Sequence, residues 1–266
     1  MTTYGLDALT TIHRDDVSPV LHSLTADEWV APSGCGGWRT QDLAAHITTN
    51  MKLFVEPDPT PEGVDPAELG IEPMQNAMVA TRRDWSPEQV VAEYDQYLEP
   101  WLGAIAMFQD EPMASTDTDL GELGTHPMHM FADIYAFDHL CHLRVDMLAP
   151  QGSVEREVPP LDDLRMRPSV EWMMAGLPAM CRQALSVVTA PVAIELTGPG
   201  ASRWVIAPAD EGVTVTASDG DAVATVTSSA WDFISWGTQR SDWREACTVA
   251  GDEALAAATL DAINVI

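Results

Sequence analysis

Lysine is nearly missing from this chain of 266 residues: Lys52 is the only one, and 13 basic side chains face 41 acidic ones, a formal charge of −28. A surface that acidic repels phosphate backbones and anionic lipid, which argues against nucleic-acid and membrane partners and leaves a small molecule as the expected one. It also gives weight to any inward-facing arginine, since an anionic substrate would need one, although acid in place of lysine is equally the mark of a GC-rich or salt-adapted genome. Long apolar runs are absent too. No stretch approaches the ~20 residues that cross a bilayer, and the N-terminus has no basic segment leading into an apolar one, so the expected setting is the cytoplasm, as a monomer or homodimer. Cys35, Cys141, Cys181 and Cys247 form no C-x-x-C pair, which argues against a cysteine zinc site and fits reduced thiols. The chain also lacks internal repeats, a strand-led phosphate loop and a G-x-S-x-G elbow, and with them the usual sequence grounds for a solenoid, a nucleotide fold or a serine hydrolase.

What is present is histidine, and it is concentrated. The stretch Thr125–Met147, THPMHMFADIYAFDHLCHLRVDM, holds four of the seven histidines and reads as one helix capped by Thr125. On it Asp138 and His142 stand one turn apart, beside an apolar face made by Met130, Ile134, Phe137, Cys141, Val145 and Leu148. Both should therefore point inward, with His139 further round towards solvent. An inward carboxylate and imidazole need a partner or a metal. From spacing alone two readings stand: a hydrogen-bonded pair in the core, or two ligands of a divalent ion whose third comes from elsewhere.

Taken in order, Leu6 to Leu24 is helical with an interruption near Pro19. A glycine loop at 33–37 leads to a helix from a Thr40 cap to about Phe54, with His46 at the edge of its apolar stripe and legible simply as a hydrogen-bonded core histidine. Residues 56–72 are a proline-rich acidic loop. Met74–Asp84 and Pro87–Met107 follow as helices, the second capped by Ser86, and Arg82 and Arg83 complement the dipole at the end of the first. From about residue 150 the character changes: a linker over 151–168, a helix over 169–188, then VAIELTG, RWVIAP, GVTVTAS and AVATVTS as a small antiparallel sheet closed by helices at 231–236 and 253–263. The fold class is α+β, with an all-helical domain over 1–155 and a smaller α/β domain over 156–266.

Two segments carry a resemblance. SGCGGWRTQDLAAH resembles the C-x-G-W-x-x-x-D-x-x-x-H segment of the mycothiol-dependent maleylpyruvate isomerase family, and DHLCHLRVD its E-x-x-x-H-x-x-x-D segment. The run from Ser228 to Ile266 is similar to the family's second domain. The resemblance covers most of the chain in the right order and implies a DinB-like four-helix bundle followed by a sterol-carrier-like domain. It implies His46, Asp138 and His142 as ligands of a divalent metal, most often zinc, mycothiol as cofactor, and Arg240 as the catalytic and substrate-binding arginine. Two departures stand out: Asp138 replaces a glutamate, and Gln239 stands where glycine is common. His139 is an alternative ligand.

The expected function is then a metal- and thiol-dependent isomerase or S-transferase acting on a small electrophilic substrate, with Arg240, Arg82 and Arg83 candidates for holding its carboxylate. The alternatives are a metal-assisted hydrolase or cyclase on the same scaffold that uses no thiol, and a non-enzymatic small-molecule or lipid-binding protein.

Overall fold

The computed structural model describes residues 4–64 and 70–265. It divides into two compact units, one taking the chain to Thr116 together with Asp138–Pro159, the other Asp117–Phe137 together with the chain from Pro160. The expected single cut at 155 is therefore replaced by three crossings.

In the first unit α1 (Tyr4–Thr11) runs through a π-helical stretch, Ile12–Val17, into α2 (Ser18–Ser23). Pro19 is absorbed in the first turn of α2, where its missing N–H costs no helical bond. A short α3 (Ala26–Val30) opens with a capping box between Thr25 and Glu28. Next comes α4 (Thr40–Val55), with Arg39 rather than Thr40 at the cap position and Asp42 accepting from the Arg39 backbone N–H at 2.9 Å. Then follow α5 (Ile71–Ala80), which starts and ends a few residues before the expected helix, and α6 (Pro87–Met107), for which Ser86 and Gln89 form the expected capping box. Helix α4 packs on α5 and α6, and its first twelve residues are all buried. The last element is the end of α7 (Phe131–Cys141), prolonged by a second π-helical stretch, His142–Met147, in which the Leu148 N–H bonds the Leu143 carbonyl at 3.0 Å. Such widened turns recur at functional sites. The two π-helical stretches are tied together, Arg144 donating to Asp16 at 2.9 Å.

The second unit begins with the first correction to the expected Thr125–Met147 helix. Thr125 is not a helix cap but a strand residue: β1 (Asp117–Asp119) and β2 (Thr125–Pro127) pair antiparallel, with Thr125 opposite Asp119. Gly121 and Gly124, both at positive φ, make the turn that only glycine adopts without strain. His126 on β2 lies against Trp172 of α8 (Asp163–Met180), ring centroids 5.0 Å apart, so this hairpin goes with the second unit. Helix α8 starts six residues before the expected helix because Asp162 caps it, accepting from the Arg165 N–H at 3.0 Å. Strands β3 (Val192–Thr197), β4 (Ser202–Pro208), β5 (Val213–Ala217) and β6 (Ala224–Ser229) fall where alternation placed them. They are followed by α9 (Ala230–Gly237), α10 (Trp243–Ala246), β7 (Thr248–Gly251) and α11 (Glu253–Asp261). The sheet order is β5-β4-β3-β6-β7, and it is mixed rather than antiparallel, since β6 returns on the far side of β3 and runs parallel to it from Val192↔Ala224 to Thr197↔Ser229. Ile194 and Val226 at its centre are fully buried, with α9 and α11 packed against these two strands. Among the described residues no helix is long and apolar enough to cross a membrane.

Candidate metal centre

Three predicted ligands meet in the first unit. His46 comes from α4, Asp138 from α7 and His142 from the first residue of the π-helical stretch, and one donor atom from each lies within 4.8 Å of the others. Nε2 of His46 is 3.2 Å from Asp138 Oδ2, and Nε2 of His142 is 3.3 Å from Asp138 Oδ1. Two further residues fix what these atoms can be. Asp146, one turn beyond His142, accepts from Nδ1 at 2.8 Å, which in the neutral imidazole leaves the lone pair on Nε2. Asn50, one turn beyond His46, donates from Nδ2 to Asp138 Oδ2 at 3.1 Å and stands 3.2 Å from His46 Nε2. Both imidazoles thus turn Nε2 towards one carboxylate. With both rings neutral and their protons on Nδ1, three lone pairs converge and repel unless a cation stands among them, so the residues present fit a divalent ion.

Without an ion the negative charge of Asp138 draws a proton instead: it favours the imidazolium form of His142, whose Nε2 then donates to Asp138, and a bound cation would take the place of that proton. Burial pushes the Asp138 carboxyl up, but the imidazoles of His142 and His46 outweigh it and hold the group well below the usual carboxylate range. Burial likewise lowers His142, and Asp138 together with hydrogen bonds to Asp146 and Cys35 carries it well above the ordinary histidine value. A quarter of the Asp138 side chain is accessible to solvent, against 6% of His46 and 11% of His142. The centre is most accessible on its carboxylate side.

The loop before α4 closes one flank. Gly34 donates to the Asp146 carbonyl at 2.7 Å, and a Cβ there would lie 3.1 Å from the Asp146 Cα and 3.2 Å from its Oδ1. Glycine lets the loop approach that near without displacing Asp146, and the approach seats Cys35 beside His142 and Asp146. Trp38 lies over the ligands, its ring 5.3 Å from that of His46 and 6.2 Å from that of His142, held by a 3.1 Å bond from Nε1 to Asn76.

The other expected site residues fall differently. Arg82, expected to hold a substrate carboxylate, is buried and donates to Glu93 and Asp58, with Lys52 joining the same two carboxylates. Arg83 is exposed and donates to Asn76 at 3.0 Å. Arg240 is half-buried in the second unit, directly after Gln239, whose φ of 59° lies in the left-handed region that favours glycine. The glycine common in the resembling segment has its physical reason here, and Gln239 offsets the strain by donating to the Ile263 carbonyl at 2.6 Å. His139, expected towards solvent, is fully buried. Burial pushes it down to about 3, and its Nδ1 lies 2.8 Å from His13 Nε2. Asn50, Asp146 and His13 were given no role by sequence reading. The first two each stand four residues beyond a proposed ligand, a spacing that could have found them.

Residues 11–146 match a family model described as the mycothiol maleylpyruvate isomerase N-terminal domain. Crystal structures of the mycothiol-dependent maleylpyruvate isomerase and of a histidine-to-alanine variant of it match with TM-scores of 0.57 and 0.55, each at 16% identity over 94% of this chain and 96% of theirs. That likeness is one of fold. A sterol carrier protein domain of Helicoverpa armigera overlaps 41% of the chain at a TM-score of 0.30 and 14% identity, too loosely to class the second unit. No curated protein matches the sequence.

Proposed function

The chain belongs to the mycothiol maleylpyruvate isomerase family, and from that membership and the geometry of the site we propose that it is a metal- and thiol-dependent enzyme whose ion is held by His46, Asp138 and His142. The observation that carries the reading is the convergence of two imidazole Nε2 atoms on one carboxylate, with Asp146 holding Nδ1 of His142 and Asn50 holding Asp138 from outside. When bound, the metal supplies positive charge that favours the thiolate of mycothiol at neutral pH. The reaction class is addition of that sulfur to an electrophilic carbon, with elimination after bond rotation giving isomerisation and a retained adduct giving S-transfer. Asp146 keeps the imidazole of His142 in the tautomer that faces inward, and Asn50 holds Asp138 by its Oδ2. Trp38 shields the ligands from bulk water. Arg240 is the proposed holder of a substrate carboxylate and Arg83 the second candidate, because the ion pairs of Arg82 already occupy its guanidinium.

Isothermal titration of the zinc-loaded and the metal-stripped protein with mycothiol tests this. Binding that requires zinc and disappears in His142→Ala supports it; no heat at any metal loading overturns the thiol dependence.

A further inference from the structure

A second polar cluster lies behind the ligands. His13 comes from the π-helical stretch after α1, Tyr94 from α6 and His139 from α7, and all three are completely buried. His13 Nε2 is 2.8 Å from His139 Nδ1, and His13 Nδ1 is 3.1 Å from the Tyr94 hydroxyl. At the other end, His139 Nε2 lies 3.5 Å from Asp138 Oδ2. Trp101 packs on both rings, at 5.1 Å from His13 and 5.4 Å from His139, and keeps the cluster dry.

A neutral imidazole has one donor and one acceptor, so two ring nitrogens 2.8 Å apart share a single proton. Which way the chain runs is decided at its carboxylate end. A lone pair on His139 Nε2 would face the Asp138 oxygen, so that nitrogen carries the proton. His139 Nδ1 is then an acceptor, His13 Nε2 the donor to it, and His13 Nδ1 the acceptor of the Tyr94 hydroxyl proton. The reverse assignment sets two acceptors against each other at Asp138.

We propose that Tyr94 and His13 donate in one direction along a buried hydrogen-bond chain ending on His139, whose Nε2–H faces Asp138 across a 3.5 Å electrostatic contact longer than a hydrogen bond, and that this chain positions the carboxylate as a metal ligand. The proposal rests on the metal reading above. Asp138 is then held at Oδ2 by the Asn50 hydrogen bond at 3.1 Å and faced electrostatically by His139 at 3.5 Å, which orients a ligand one methylene shorter than the glutamate of the resembling segment. His139 and His13 are positioning residues. Loss of an outer partner of this kind typically costs about 10–100-fold in metal affinity.

Long-range proton–nitrogen NMR of the 15N-labelled full chain, with and without zinc, reads the tautomers directly. Nε2–H forms at both His13 and His139 are expected; an Nδ1–H form at either overturns the chain. Zinc affinity, measured by competition with a chromophoric chelator, then separates positioning from packing. Glutamine keeps a donor near the Nε2 position and leucine has none, so His139→Leu and His13→Leu should weaken zinc binding about 10–100-fold while His139→Gln and His13→Gln recover most of it. Leucine variants that unfold at the wild-type denaturant midpoint and bind zinc within about twofold of wild type overturn the positioning role. If the leucine variants fail to fold, the glutamine variants and the tautomers decide. Wild-type protein that binds no zinc overturns the metal reading itself, whatever the tautomers show.

Discussion

Asp146 Oδ2 lies 2.8 Å from Nδ1 of His142, one turn earlier on the same π-helical stretch, and that contact decides which nitrogen of His142 faces the centre. The carboxylate accepts from Nδ1–H, so in the neutral imidazole Nε2 keeps its lone pair towards Asp138, where a cation would sit. Removing the charge should act on the metal without touching a ligand. Asp146→Asn is expected to weaken zinc binding about tenfold and Asp146→Leu by up to about a hundredfold, as read by chelator competition. Unchanged affinity in both would remove Asp146 from the site.

Arg82 and Arg83 are neighbours with opposite fates. Arg82→Met leaves Glu93 and Asp58 with Lys52 alone in a largely buried cluster, and breaking such a cluster by one member should cost about 3–5 kcal/mol in urea unfolding. Arg83→Ala, exposed, should stay within about 0.5 kcal/mol. Equal effects would mean that Arg82 is not a core residue.

Asp133 on α7 is buried, and burial, aided by the charge of Glu171, pushes its carboxyl up to about 8. A raised acid favours the folded state when protonated. Its contribution is complete below the ordinary value of 3.8 and is lost as pH rises through about 8. Asp133→Asn should therefore lose less stability than wild type across that window. Parallel pH profiles in urea unfolding would contradict this.

Gln239 is held at φ 59° by the bond of its side chain to the Ile263 carbonyl. Gln239→Ala keeps the strain and loses the bond, whereas Gln239→Gly loses both. The alanine variant should be the less stable of the two, by about 1 kcal/mol in denaturant midpoints. The opposite order would show that the left-handed conformation is not strained here.

Much of this was legible before any coordinates. The i, i+4 spacing of Asp138 and His142, and His46 at the edge of the α4 stripe, follow from helical period alone, and the capping box at Ser86 starts α6 where expected. The failures have physical causes. His139 was assigned to solvent because a stripe argument assumes one wet side, yet α7 has buried residues all round, including Asp133, Ala136, His139 and Leu140. The widened turn at His142–Met147 leaves no trace in composition. Strand alternation located β3 to β6 but says nothing of partners, so the parallel pairing of β3 with β6 stayed hidden. Strand β7, four residues ending in Gly251, is too short to alternate.

The central claim is a divalent ion on His46, Asp138 and His142. Mass-spectrometric metal analysis of protein purified without a metal-binding affinity tag tests it most directly, after dialysis against zinc and removal of the excess. A single tightly held equivalent in wild type, lost in His46→Ala and in His142→Ala, is the expected result. Wild type without bound metal, or the same metal content in all three proteins, would contradict it.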